Sequence, residues 1–182
     1  MNRILFLDID GVLNSHQFLA ERNLRHEDFR SKPRTKEQKR AFEKKMAEPI
    51  DPAAVERVNA IASRTGAGIV VSSYWRFSHG ISALQEILSG FGLRYSLLDY
   101  TPPYSSISGD IAGLRQVQCE RGYEIKAWLE QHEVSNYVIL DDVEDFLPDQ
   151  RRRWVQIHPS QGLLDHHVDK ACELFKLINY RY

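Results

Sequence analysis

The sequence predicts an α/β fold, a parallel sheet with helices packed on both faces, and three observations carry the prediction. Short apolar runs alternate with amphipathic stretches of helical period along the 182 residues. Glycine, proline and N-capping residues punctuate the junctions between them. The apolar runs end in acids or serines, as buried strands do when a polar edge follows.

The elements follow in order. Arg3 to Asp8 (RILFLD) reads as a buried strand ending in acid. Residues 15 to 48 come next, a segment far longer than the usual βα loop of about 2 to 6 residues. Its second half, Thr35 to Met46, is rich in helix formers and reads as a charged helical insertion. Asp51-Pro52 then supplies an N-cap with proline at the first helical position. Val55, Val58, Ile61 and Ala62 follow at helical spacing, and Gly66 closes that helix. Gly68 to Val71 (GIVV) is the second strand. Ile81, Leu84, Ile87 and Leu88 mark another amphipathic helix, ended near Gly90. Arg94 to Leu98 reads as the third strand, before a turn-rich stretch at Pro102-Pro103. Ile125, Trp128 and Leu129 form a third core helix, and Tyr137 to Leu140 (YVIL) a fourth strand ending in acids. Arg153 to Ile157 gives a fifth strand. Val168, Ala171, Cys172, Phe175 and Ile178 make the apolar stripe of a final helix.

Strand-helix-strand repetition implies right-handed crossovers and a doubly wound, three-layer sheet of the Rossmann-like kind. Ligands of such sheets bind beyond the carboxyl ends of the strands, near the switch in strand order. Residues far apart in sequence should therefore converge there. They are Asp8 and Asp10, Ser72 and Ser73, and Asp141 and Asp142.

Composition fits one ordinary globular domain over residues 1–182, with 42% hydrophobic and 27% charged residues. No apolar run approaches the roughly 20 residues that span a bilayer. The apolar start of MNRILFLDIDG is too short for a signal peptide, and acids interrupt it. Cys119 and Cys172 are far apart and lack CxxC spacing, so they read as reduced thiols. A cytoplasmic protein without membrane partners is expected. Net charge is −1, yet residues 22 to 45 hold ten Lys or Arg against four acids. That stretch is either an anion-attracting face or a solvated charged helix.

The chemistry begins with Asp8-Ile9-Asp10-Gly11. A carboxylate ending a buried strand can attack phosphorus once it is oriented and partly neutralised. A second carboxylate two residues on can protonate the leaving oxygen and then take a proton from water. Gly11 lets the backbone approach a ligand closely. A calcium loop does not fit, because an EF-hand needs acids at positions one, three and five with glycine sixth. Here glycine is fourth.

Asp141-Asp142 adds further acids, and several carboxylates facing a phosphate dianion call for a divalent cation. Magnesium takes one or two carboxylates with substrate oxygens and waters. Asp8, the backbone carbonyl of Asp10, and Asp142 could supply that set. Ser72, Ser73 and the amides of the following turn can hold phosphate oxygens. Arg121 or Lys126, at and beyond a helix start, can offset charge on the nucleophile and the transferred group. Competing structural readings exist for each: a capped turn for the acids, a structural serine, a surface cation.

These elements occur in the order found in the haloacid dehalogenase-like (HAD) superfamily of phosphohydrolases, which the sequence resembles. FLDIDGVLN matches the first motif, with Asp8 as nucleophile and Asp10 as acid-base. IVVSS matches the second, with Ser72 on phosphate, and ILDDVED the fourth, with Asp142 on metal and Asp141 and Asp145 supporting. Arg121, 21 residues before Asp142, is better placed for the third motif than Lys126, although most members use lysine there. SSYWR, RGYEIKAWL and HPSQGLLDHHVDKACELF are similar to a small branch that includes the HAD domain of Swiss-army-knife RNA repair proteins. The resemblance implies magnesium-dependent hydrolysis of phosphomonoesters through an aspartyl-phosphate on Asp8. Asp10 favours phosphoryl transfer over dehalogenation. Residues 92 to 120 are too few for a bulky cap, which leaves 15–48 as lid or polyanion-binding arm.

The expected substrate is a small phosphorylated molecule or a phosphorylated nucleic-acid end. Asn14, His16, Trp75 and Arg76 are candidate substrate contacts, with Tyr74 and Trp75 able to stack on a base. His166-His167 reads as a polar helix face. Two other classes compete: a phosphate-binding module without turnover, and a nucleic-acid-binding domain working through residues 22 to 45.

Overall fold

The computed structural model describes residues 2–22, 24, 50–107 and 119–177. The predicted helix at Thr35 to Met46, the charged remainder of the insertion, and Ile178 lie outside these residues. Among the described residues thirteen segments are assigned in order. They are β1 (Arg3–Leu7), α1 (His16–Glu21), α2 (Pro52–Thr65), β2 (Gly68–Val71) and a 3-10 turn at Tyr74–Phe77. Then come α3 (Ile81–Gly90), β3 (Leu97–Tyr100), α4 (Tyr104–Ile107) and α5 (Glu120–Glu130). Last are β4 (Asn136–Asp141), a 3-10 turn at Arg151–Arg153, β5 (Trp154–Gln156) and α6 (Asp165–Lys176).

The five strands form one sheet in the order β3-β2-β1-β4-β5, and every pairing is parallel. β1 lies in the middle because its apolar residues have partners on both sides. Leu5, for example, is in register with Ile69 of β2 and Val138 of β4. Strand order switches direction between β1 and β4, and beyond the carboxyl ends of those two strands is where such sheets place their ligands.

Alternation along the strands divides the core in two. Leu5, Leu7, Ile69, Val71, Val138 and Leu140 belong to a cluster with Val55, Val58 and Ile61 of α2, Leu84 and Leu88 of α3, and Val168 and Phe175 of α6. Ile4, Phe6, Val70 and Ile139 belong to the other, with Ile125 and Trp128 of α5 and with Phe146. Phe6, fully buried, meets Trp128 and Tyr137 edge-on at 5.5 and 5.9 Å.

The caps of α2 are as predicted. Asp51 accepts from the Ala53 amide at 2.9 Å, and Gly66 closes the helix in the left-handed region at φ 66°. The third strand lies further along than Arg94–Leu98. Arg94 is held by α2 instead: its amide donates to Asn59 Oδ1 at 2.9 Å, and its guanidinium pairs with both Glu56 oxygens. Among the described residues no helix is long and apolar enough to cross a membrane, and no cap domain stands over the strand ends.

Candidate active site

The carboxyl edge of the sheet is assembled by backbone bonds that extend the strand pairings by one residue. The Asp8 amide donates to Leu140 O at 3.0 Å, Ser72 to Leu7 O at 2.8 Å, and Ile157 to Asp141 O at 3.1 Å. Asp8, Ser72 and Asp141 are thereby held by the sheet itself rather than by loops. All three are buried.

After Asp8 the chain turns at once. The amides of Val12 and Leu13 donate to Ile9 O, and the Gly11 amide donates to Asn14 Oδ1 at 3.0 Å. Gly11 has φ 78°, and an added Cβ would lie 2.6 Å from Asp142 Cγ. Only glycine permits this approach of the turn to the second acidic strand end. Asp10 emerges from the turn half-buried. Its Oδ1 accepts from Asn14 Nδ2 at 2.9 Å and from Trp75 Nε1 at 3.0 Å.

Arg121, at the start of α5, reaches the same edge. Its guanidinium donates to Ser72 O and lies 3.5 Å from Ser72 Oγ. It stands 3.7 Å from Asp8 Oδ1 and 3.5 Å from Asp141 Oδ2. Asp145 fixes the helix start with both carboxylate oxygens, accepting from the Cys119 amide at 2.7 Å and the Arg121 amide at 3.0 Å. Its backbone carbonyl takes the Gly122 amide at 2.9 Å. Asp145 thus satisfies otherwise orphaned helix donors and aims Arg121.

The electrostatics follow from crowding acids where water is scarce. Burial drives the Asp8 carboxyl well above its ordinary value, Asp141 adds repulsion, and Arg121 opposes both. Burial likewise lifts Asp141 to about 6 against the pull of Arg121. Burial also opposes the charge on Arg121, but Asp8 and Asp141 outweigh it and hold the guanidinium above its usual range.

One oxygen each from Asp8, Asp141 and Asp142 lies within 4.8 Å of the others. Asp141 Oδ2 is buried and has no hydrogen-bond partner. An oxygen-only donor set, a buried carboxylate oxygen met only by the Arg121 guanidinium at 3.5 Å, and carboxyls raised first by burial and then by neighbouring acids all fit a hard divalent cation such as Mg²⁺. Asp141 therefore belongs to the cluster itself, beyond the supporting part expected of it.

Ser73 is fully buried, and its hydroxyl makes no well-formed hydrogen bond, though it lies close enough to Asp8 to draw that carboxyl down. It follows Ser72 and opens the 3-10 turn, so an arriving phosphoryl oxygen would satisfy it. Thr101 has the same unsatisfied buried hydroxyl, and its amide donates to Val71 O at 3.0 Å beside the serines.

Several expected contacts are arranged differently. Lys126 does not join the site: it is half-exposed and pairs with Glu130 one turn along. Five residues at 3.6 per turn place it on another side of α5 from Arg121. Trp75 is only 6% exposed, so it cannot stack on a base, and its indole serves Asp10 instead. Arg76 is buried in an ion pair with Glu124 at 2.5 Å and also donates to Ser73 O at 2.8 Å. Burial lowers its guanidinium below the ordinary value against the pull of Glu124. Asn14 is fully buried and braces the Asp10 turn, while His16 is exposed at the start of α1. His167 is also buried rather than on a polar face, and its Nδ1 accepts the Leu164 amide at 2.9 Å.

Sequence reasoning missed Glu124. Its signal was present, because it stands three residues after Arg121 and so on the same helical face. The aromatics left at the mouth are Tyr74 and Phe77, 60% and 55% exposed with ring centroids 5.6 Å apart. The Arg121 guanidinium lies 5.6 Å from the Tyr74 ring.

No curated protein matches the chain. A family model described as the HAD domain in Swiss Army Knife RNA repair proteins matches residues 4–168, almost the full span of this sheet and its helices, and the chain belongs to that family.

Proposed function

We propose that this chain is a magnesium-dependent phosphomonoester hydrolase that works through an aspartyl-phosphate on Asp8. The observation that supports it most is the setting of Asp8, a buried carboxylate facing Arg121 and within reach of Asp141 and Asp142. Asp8, Asp142 and Asp141 would hold the magnesium, which when bound offsets their charge and draws electron density from the phosphoryl oxygens.

Arg121, the Ser72 region and the Ser73 hydroxyl bind the phosphoryl group and place phosphorus before Asp8 Oδ. Asp8 attacks, the bond to the leaving oxygen breaks, and Asp10 gives that oxygen a proton. Asp10, now a carboxylate, takes a proton from the water that attacks the acyl phosphate, which frees Asp8 and inorganic phosphate.

The substrate reading is a phosphorylated nucleic-acid end or nucleotide. The RNA repair context of the family supports it, as do Tyr74 and Phe77, exposed beside the phosphate grip and suited to stacking on a base. The free thiols Cys119 and Cys172 accord with a cytoplasmic setting.

The test is a magnesium-supplemented panel of p-nitrophenyl phosphate, nucleotides, sugar phosphates and oligonucleotides phosphorylated at either end. Wild type is expected to cleave the aryl phosphate, and Asp8→Asn to abolish cleavage. Persistent turnover in that variant rejects Asp8 as nucleophile. Salt-sensitive RNA binding that survives Asp8→Asn, with no turnover in wild type, would point to a binding module instead.

A further inference from the structure

The indole of Trp75 is the least expected member of the site. It lies 65 positions from Asp10 in sequence, in the 3-10 turn that directly follows Ser72 and Ser73. A buried indole N–H needs an acceptor. Here the acceptor is the acid two residues beyond the nucleophile, at 3.0 Å. The same oxygen, Asp10 Oδ1, also takes the Asn14 amide at 2.9 Å.

We infer that Trp75 and Asn14 are positioning residues that fix which oxygen of Asp10 carries the proton. Two N–H donors aimed at Oδ1 leave no room there for a third hydrogen, so a proton on Asp10 resides on Oδ2. Oδ1 acts as the fixed pivot, and Oδ2–H is the donor to the leaving oxygen. As the ester P–O bond breaks, its electron pair goes to that oxygen, which takes the Oδ2 proton. This role rests on the hydrolase reading and deepens it.

The rest of the turn is rigid enough to make the pivot effective. His79 stacks on the Trp75 ring with centroids 5.6 Å apart and 26° between planes. Next along the turn, Arg76 is clamped between Ser73 O and Glu124 of α5. The phosphate grip and the brace on the acid therefore belong to one short turn, and that turn is tied to the helix carrying Arg121.

A purely structural Trp75 would slow every substrate alike when replaced. A positioning residue for a general acid does not, because a good leaving group needs little protonation. Trp75→Phe, which retains the buried ring, is compared with wild type on p-nitrophenyl phosphate and on 2-phenylethyl phosphate. The quantity read is kcat/KM, which reports steps through formation of the acyl phosphate and so isolates departure of the leaving group.

General acid catalysis contributes about 10²- to 10⁴-fold, and loss of one of two braces should forfeit part of it. The alkyl ester is expected to lose at least about tenfold more than the aryl ester. Equal losses on the two esters, or no loss on either, overturn the inference. A wild-type chain that cleaves neither ester removes the hydrolase reading and this role with it.

A second measurement is independent of turnover. The three indole N–H signals of the ¹⁵N-labelled protein are recorded, and Trp75→Phe identifies the one it deletes. Asp10→Ala should move that signal upfield while Trp128 and Trp154 stay in place. An unmoved Trp75 signal overturns the contact even in a chain that folds normally.

Discussion

Substituting Gly11 separates the acidic cluster from ordinary backbone strain, because the chain supplies its own control. Gly11 has φ 78°, and an alanine Cβ there would lie 2.6 Å from Asp142 Cγ and 3.1 Å from Asp142 Cβ. Gly66 has φ 66°, and an added Cβ meets nothing within 4 Å. Both alanines incur the left-handed backbone cost of about 1–2 kcal/mol. For a chain of this length that lowers Tm by roughly 2–8 °C. Only Gly11→Ala also pushes Asp142, whose Cγ must retreat about 0.8 Å to reach the 3.4 Å at which ordinary contact begins. A displacement near 1 Å in a positioned group costs about a hundredfold in rate, or about 2.7 kcal/mol of barrier. The assay is kcat/KM for p-nitrophenyl phosphate over a magnesium titration, with thermal melts of both variants. Gly66→Ala is expected to melt lower with unchanged turnover, while Gly11→Ala melts lower and needs more magnesium. Turnover of Gly11→Ala within threefold of wild type, or equal losses in both variants, would refute the reasoning.

Other predictions concern charge and pH. Arg121→Ala should lower kcat/KM at least about a hundredfold, since it removes the cation beside Asp8. Lys126→Ala should leave turnover intact and shift stability by less than about 0.5 kcal/mol, because it loses only a surface pair. His167 is held at about 4, below its ordinary value, first by burial and then by His166. The unfolded chain therefore binds a proton near pH 6.5 that the folded chain refuses until about pH 4. Stability should fall across that window as pH is lowered, by at most about 3 kcal/mol from this group. Urea titrations at pH 7 and 4.5 should show a smaller loss for His167→Gln than for wild type.

What the sequence made legible follows from where each element lies. β1, β2 and β4 are buried on both faces, so their apolar runs stand out and their ends point to Asp8, Ser72 and Asp141 with little error. β3 is an edge strand with Leu98 exposed, and its pattern is diluted by Arg94, which α2 draws out of the sheet. Site residues fixed by the topology of strand ends were accessible to reasoning for the same cause. Those fixed by side-chain direction were not. Whether Arg121 or Lys126 faced Asp8 depended on the phase of α5, which the Asp145 cap sets from 24 residues away. Trp75 and Arg76 looked like substrate contacts because polar and aromatic groups beside a phosphate loop suit that role. Their true partners, Asp10 and Glu124, are chosen by packing between distant segments, and local pattern carries no trace of it.

The central place of β1 has a consequence for how the protein opens. Proteins loosen from their edges, and the strands with the most partners exchange amide hydrogens last. β1 is two strands from either margin, with β3 and β5 outermost. Fraying of β5 would expose Val155 and fraying of β3 would expose Leu97, yet neither breaks the bond from the Asp8 amide to Leu140 O. The Asp8 amide should therefore be among the slowest to exchange, and the Asp8 carboxylate should keep its place through every opening short of global unfolding.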